Sequence, residues 1–432
     1  MTGARVDIRP LIGLPPEDTF RAFRGRDELR LTTKWHEMWQ EEHARAFTVA
    51  KVARLDLLDT IRNSLADVLA NGGTFEQWKD RIIPDLQRAG WWGRVEDKSL
   101  TGTSAPVFIG PRRLETIYRT NMRVSRAAGQ WARIQDRKDV APFLRYSAVM
   151  DDRTRPLHRQ WHGTILPVDH PWWDTHFPPC GWNCRCTATQ LSERDLRARG
   201  WEVNKAPPPE GPPSRFWRAG SPTPEAVPAG IDPGWAYNPG KASMRAIADK
   251  AAATLEAQAG GDLAGARAAV RDLVDSPAFL QALDEPGTAF PVMVLDDEVR
   301  AQISAQGHVA MLSSETYAKQ RRNHPELLAA DYRRLPDIGA APDLIFQQDD
   351  RRLILTRAAD GRWMKAVVKV TADRGELFVI SLQYARAAEI ARLRRRFKLV
   401  FGQWVGAIAA LIAAGVTGEQ APEEADDVEN DA

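Results

Sequence analysis

From Leu31 to Ala70 the apolar positions recur three and four residues apart. They run through Trp35, Met38, Trp39, Phe47, Val49 and Val52, then Leu55, Leu58, Ile61, Leu65 and Val68. This is the period of one face of an α-helix. The spacing predicts one long helix, or two in line, ending near Asn71-Gly72-Gly73. Thr74 followed by Gln77 has the form of a capping box and predicts a helix to about Ala89. Gly110-Pro111 opens another, from Leu114 to Gln135. Its apolar face carries Ile117, Met122, Val124, Ala127, Ala128 and Trp131, and its other face Arg119, Arg123, Arg126 and Arg133. A basic face of this kind is either solvated or turned toward phosphate or acidic protein.

The period changes after residue 140. RYSAV reads as a strand, Pro156 to His162 as a short helix, and CRCTATQL as a strand followed by a helix capped by Ser192 and Asp195. Lys205 to Lys241 holds ten prolines, which excludes a regular element and predicts a linker or a strap lying on another surface. An alanine-rich helix, about Ala242 to Gln258, follows, with a further short helix toward Leu283. Beyond Phe290, PVMVL, PDLIFQ, RRLILTRA, RWMKAVVKVT and ELFVISLQYA are strand-like, with a helical stretch between the first two. The fold class is therefore α+β. It divides into a mainly helical part with a small β and Cys/His segment (1–204), a proline-rich linker and helical connector (205–285), a small α+β domain with an antiparallel sheet (286–396), and an apolar helix with an acidic tail (397–432). That apolar stretch has about 16 residues from Phe401, short of the roughly 20 that span a bilayer, so a packing or partner-binding helix is expected in place of a membrane anchor.

Composition adds three constraints. With 59 basic and 57 acidic residues in 432 the net charge is only +2, so any nucleic-acid contact must be local. The N-terminus lacks an uninterrupted apolar run, which points to synthesis in a reducing cytoplasm. Eleven of the fifteen tryptophans lie at or before Trp201, enough to anchor helical cores of modest aliphatic content.

All three cysteines fall in the stretch from Asp151 to Cys186. His158 and His162 are four apart and share a helix face, while Cys184 and Cys186 are two apart and would share a strand face. Two imidazoles and two thiolates make the tetrahedral set that zinc favours. Cys180 and His176 are spare candidates, and reduced cysteines without metal are the plain alternative. With no acid or base tied to an open position, the expected cofactor is a structural zinc. Asp151, Asp152 and Arg153 read as a salt-bridged turn.

The ordered blocks WQEEHARAFTVA, GWWG, RLETIYRTN, DDRTRPLHRQWHG, PPCGWNCRC and GWAYNPG, spread over about residues 15 to 241, resemble the Mu F-like phage head morphogenesis family. The resemblance implies a minor capsid protein of tailed phages and prophages, present in few copies in the virion head. It would be assembled in the host bacterial cytoplasm and act in prohead assembly near the portal, with portal and other head or scaffold proteins as partners. Cys180 departs from the family pattern, which has a polar residue at that place, and this favours His158, His162, Cys184 and Cys186 as ligands.

Residues 288 to 396 are similar, more loosely, to phage-associated members of the barnase, EndoU, colicin E5/D and RelE-like nuclease superfamily. That similarity implies metal-independent RNA cleavage, in which the 2′-hydroxyl attacks the adjacent phosphate. His324 would be the acid/base. Lys319, Arg321 and Arg322 beside it, with Lys365 and Lys369 on a strand, would supply cations, and Ser381 and Tyr384 would orient the RNA. His308 is a second histidine, placed by its strand-like surroundings in a packing role. Three functions follow: a head assembly protein with a nuclease-fold appendage, a virion-delivered ribonuclease, and a DNA-packaging factor that binds through the arginine face. Only the last predicts steeply salt-dependent DNA binding through Arg119 and Arg123.

Overall fold

A computed structural model describes residues 17–359 and 362–403. The chain separates into two compact units, one up to Ile247 and the other from Ala248, with the division falling inside the helix Pro239–Ala259. Both helices and sheets are present, as an α+β chain requires.

In the first unit the 26-residue helix Pro111–Asp136, about 39 Å long, serves two cores in succession. Its first half, through Leu114, Ile117 and Met122, joins the core made by the helices Leu55–Asn71 and Phe75–Arg88, which contribute Leu58, Ile61, Leu65, Trp78 and Leu86. Its second half, through Ala127, Trp131 and Ile134, joins a tryptophan-rich core with Trp161, Trp172, Trp173 and all three cysteines. The second core lies against a three-stranded antiparallel sheet ordered Ile165–Pro167, Phe143–Ser147, Thr187–Leu191. Thr74 and Gln77 form the expected capping box at 2.9 and 3.3 Å, and Ser192 caps Glu193–Arg199 with Asp195 in the same way.

The stretch before Leu55 departs from the expected helix. Residues 31–54 hold two 3₁₀ turns, Trp35–Glu37 and Gln40–Ala44, and a two-residue strand, Ala46–Phe47. Gln40 and Lys51 take positive φ (41° and 63°), which the interior of a continuous α-helix does not accommodate. The apolar spacing there serves separate contacts: Trp39 stacks on Phe216 at 5.5 Å while Phe47 packs on Phe23 at 6.0 Å. Tertiary packing overrides a periodic pattern in this stretch.

The proline-rich segment is a strap on the first unit. A short hairpin, Ser214–Phe216 with Glu225–Val227, leads to a run from Gly230 to Asn238 that crosses the tryptophan core. Trp172 Nε1 donates to Glu210 at 2.9 Å and Asn238 Nδ2 to the Trp173 carbonyl at 3.2 Å. Gly240 is obligatory, since an added Cβ would lie 2.0 Å from Trp131 Cβ.

The second unit is a seven-stranded sheet ordered Ala289–Val294, Val309–Ser313, Leu377–Ala385, Arg362–Val370, Arg352–Ala359, Leu344–Gln347, Lys398–Phe401. Every neighbouring pair is antiparallel except Val309–Ser313 with Leu377–Ala385. One face packs on Leu263–Asp275 and Leu335–Ala340, and the other on Ala387–Arg396 through Ile390 and Leu393. Phe401 belongs to the last strand and Gly402 and Gln403 are not helical, while the expected apolar helix from residue 404 on, with the acidic tail, lies outside the described residues. Among the described residues no helix is long and apolar enough to cross a membrane.

Candidate metal centre

His158 sits on the short helix Pro156–Trp161, which the strand Phe143–Ser147 and the loop after it carry into the tryptophan core. Cys184 and Cys186 precede the strand Thr187–Leu191, so they do not share a strand face as their spacing suggested. They converge by a turn instead. Asn183 takes a left-handed φ of 56°, Cys184 N–H donates to the Gly181 carbonyl at 3.1 Å, and both sulfurs turn toward one nitrogen. The Sγ of Cys184 and of Cys186 lie 3.8 and 3.4 Å from His158 Nδ1. The three ligand atoms all fall within 4.8 Å of one another, and all three residues are buried. This His-Cys-Cys group can hold a metal ion.

The surroundings fix the ligands' orientation. His158 Nε2 lies 2.9 Å from the Gly230 carbonyl on the strap. The ring therefore donates there and presents Nδ1 as a lone pair to the sulfurs. Arg185, between the two cysteines, makes a forked ion pair with Asp151 and holds its carboxyl well below the usual carboxylate range. Arg123 of the long helix donates to the Cys184 carbonyl. Arg155 bridges the Trp182 carbonyl at 3.0 Å and Asp232 at 2.7 Å, and Asp232 in turn accepts from Trp182 N–H at 2.8 Å. Gly181 leaves room for this network, since a Cβ there would meet Asp232 Oδ2 at 2.4 Å.

Cys180 is fully buried beside the group. Its Sγ lies 3.3 Å from the His176 carbonyl and 3.9 Å from the Tyr146 hydroxyl. The Cys180 and Cys186 thiols hold Cys184 well below the ordinary thiol range. Burial pushes Cys180 up, and the Cys184 neighbour pushes Cys186 up. Clustered buried sulfurs of this kind suit a soft cation.

His162 turns elsewhere. Its Nδ1 accepts from Ala148 N–H at 3.1 Å, its Nε2 lies 3.3 Å from Arg145, and burial together with Arg145 lowers its pKa. His176 stacks on Trp172 at 4.5 Å with its Nε2 2.8 Å from Glu210, and burial lowers its pKa to about 4. Sequence reasoning missed the strap's Gly230 and Asp232 and the structural use of Arg123. A glycine and an aspartate in a proline-rich run were the signals the sequence offered.

The arginine face of the long helix is largely engaged within the first unit. Arg119 pairs with Glu115 at 2.6 Å, Arg133 with Asp18 at 3.8 Å, and Arg123 with the Cys184 carbonyl.

In the second unit His324 ends the helix Ser314–Asn323, its side chain a quarter exposed. Its Nδ1 lies 3.1 Å from Glu326 and its Nε2 3.1 Å from the Gln383 amide. Lys319 and Arg322 are exposed on that helix, and Arg321 reaches Asp284 at 3.4 Å. Strand alternation separates the remaining candidates. Ser381 and Tyr384 are three apart and face opposite sides of the sheet, where Tyr384 donates to Asp331 at 2.5 Å. Gln383 stands opposite Lys365, which is bonded to Glu389. Lys369 lies four residues further along that strand, about 13 Å away. His308 is held between Glu256 at 2.8 Å and Asp297 at 3.2 Å, a packing role.

Residues 59–189 match the Phage Mu protein F like protein family. The match takes in His158, Cys180, Cys184 and Cys186, and supports the Mu F-like resemblance of the sequence blocks. The chain is 35% identical over 252 residues to the "Putative capsid assembly protein F" of Escherichia phage Mu, covering 55% of this chain and 57% of that protein. It is 38% identical over 179 residues to the "Mu-like prophage FluMu F protein" of Haemophilus influenzae, covering 41% of this chain and 42% of that protein. The chain thus spans about half the length of the curated relatives it matches. No solved structure matches it.

Proposed function

We propose that this chain is a phage or prophage head protein that acts in capsid assembly, as a minor component of the virion head in contact with the portal and neighbouring head or scaffold proteins. The observation that carries the reading is the Mu F-like match over 59–189, which falls on the tryptophan core and its Cys/His group. The chemistry agrees, because that group is a buried set of one imidazole and two thiols inside a tryptophan core, the place of a structural brace. The test is mass spectrometry of purified proheads and heads. The chain should be recovered in a few copies per particle, together with the portal protein. Recovery only in the soluble lysate would remove the assignment.

The metal we assign is zinc, held by His158, Cys184 and Cys186 with Cys180 as the fourth donor. Three thiols and one imidazole suit zinc better than the harder cations. A closed, buried donor set is structural, and zinc would supply a cross-link where thiols and imidazole otherwise make weak hydrogen bonds.

A second reading, metal-independent RNA cleavage by the second unit, is favoured by one arrangement: the Glu326 carboxylate 3.1 Å from His324 Nδ1, which orients the ring as the carboxylate of a catalytic triad orients its histidine. The test is cleavage of labelled RNA in the presence of chelator by the full chain and by His324→Ala. Activity lost with His324 would support it. Equal or absent cleavage would remove it.

A further inference from the structure

The first unit contains a cavity of about 850 Å³, lined from four stretches of chain: 26–51, 108–124, Trp182 and 234–237. Its volume falls within the usual range of ligand pockets. Trp35, Trp182 and Trp235 form one wall, with ring centroids 5.9 and 5.1 Å apart in edge-to-face pairs. Phe108, on the strand Val107–Ile109 that pairs with Gly93–Val95 before the long helix, lines the cavity while 74% exposed, the largest exposure of any large apolar side chain among the described residues.

The charges are one-sided. Arg26, Lys34, Lys51, Arg112 and Arg113 all line the cavity, and no aspartate or glutamate does. Two of the five are engaged inside the protein: Arg26 with Asn121 and Ser125 at 3.1 and 2.7 Å, and Arg113 with the Ala50 carbonyl. Lys34, Lys51 and Arg112 make no ion pair among the described residues. Burial lowers the His43 pKa to about 4, so that ring adds an uncharged polar edge. The Pro111–Asp136 helix starts at the cavity with Gly110, which offers no capping side chain, so the positive end of its dipole adds to the field.

We propose that this cavity binds an acidic peptide segment bearing an apolar side chain, presented by a protein partner. The apolar anchor would sit against the tryptophan wall and Phe108, and its flanking carboxylates would meet Lys34, Lys51 and Arg112. A single-stranded nucleic acid fits less well. Stacking of successive bases needs a run of open aromatic faces, whereas here Phe108 stands exposed but Trp35 is stacked on Trp39 at 6.2 Å and Trp182 is enclosed between Trp35 and Trp235. The inference rests on the assembly reading only for which protein supplies the peptide, and free peptides test it separately.

The experiment is fluorescence anisotropy with the full chain at low ionic strength. The probes are a short capped peptide of glutamates flanking a leucine and a phenylalanine, its lysine counterpart, and a short oligothymidylate. The acidic peptide should bind, and the lysine peptide at least about tenfold more weakly. A Lys34→Glu/Arg112→Glu double variant, altered only at exposed positions, should lose about tenfold or more in affinity for it. Phe108→Ala should weaken it as well. Circular dichroism checks that each variant is folded. No binding by the folded chain, equal binding by the charge-reversed variant, or tighter binding of oligothymidylate at the same residues would overturn the proposal.

Discussion

His158 Nε2 meets the carbonyl of Gly230 at 2.9 Å across 72 residues of sequence. One hydrogen bond therefore joins the Cys/His group to the strap. It selects which ring nitrogen faces Cys184 and Cys186, and it ties a proline-rich segment to the core of the first unit. A metal held by this group would be coupled to strap docking through this ring.

The coupling makes the strap's glycine a sensitive position. Gly230 has a φ of 82°, and a Cβ there would lie 2.7 Å from Trp161 Cη2 and 2.9 Å from Leu157 Cβ. Gly230→Ala is expected to cost about 2 kcal/mol of stability in denaturant unfolding. It should also weaken zinc binding about tenfold or more in a competition titration with a chromogenic chelator. Unchanged zinc affinity would separate the strap from the centre.

Removing a ligand should have a larger effect than moving its support. The chain purified without chelator is expected to carry one zinc ion by elemental analysis, and Cys184→Ser or Cys186→Ser to carry little. Chelator should lower the melting temperature of the parent chain by several degrees and leave the serine variants unmoved, since the binding free energy of a structural metal is folding free energy. Full zinc content in both variants would contradict the ligand set. His162→Ala should retain the metal, because its nitrogens point to Ala148 and Arg145.

Thr74→Ala provides the contrast. It breaks the capping box of Phe75–Arg88 and should cost about 1 kcal/mol, with zinc content unchanged.

These expectations show where the sequence was informative. The capping residues Thr74 and Ser192, Gly110-Pro111 at the head of the long helix, and the alternating strands from Arg352 to Ala385 act locally, so they were legible. Residues 31–54 were misread because Trp35, Trp39 and Phe47 answer to distant partners, whose spacing mimics a helix by coincidence. The cysteines were legible as a cluster, yet their turn through Asn183 and the orienting Gly230 carbonyl involve backbone that residue type does not encode. Arg123 read as part of a solvated face because its acceptor is a carbonyl 61 residues away.

Glu256 sets a pH dependence in the second unit. Burial raises its pKa, but the His308 ring and the backbone N–H groups of His308 and Val309 outweigh that and hold it below its ordinary value. A depressed carboxylate stabilises the fold above its unfolded pKa, and that contribution is lost as pH falls through the folded one. Glu256→Gln should therefore be less stable than the parent near neutrality, with the gap closing in acid below about pH 4. The measurement is calorimetric melting across pH. A gap that widened on acidification would contradict the assignment.

The central claim is that the first unit, organised by its Cys/His centre, is the part that acts in head assembly. Its most direct test is head yield, counted by electron microscopy. The cells would lack their own copy of the gene and be supplied with the parent chain, the Cys184→Ser/Cys186→Ser double variant, or His324→Ala. We expect heads to form with the parent and with His324→Ala, and to fall about tenfold or more with the cysteine variant. Normal head numbers with the cysteine variant, or with no chain supplied, would contradict the account.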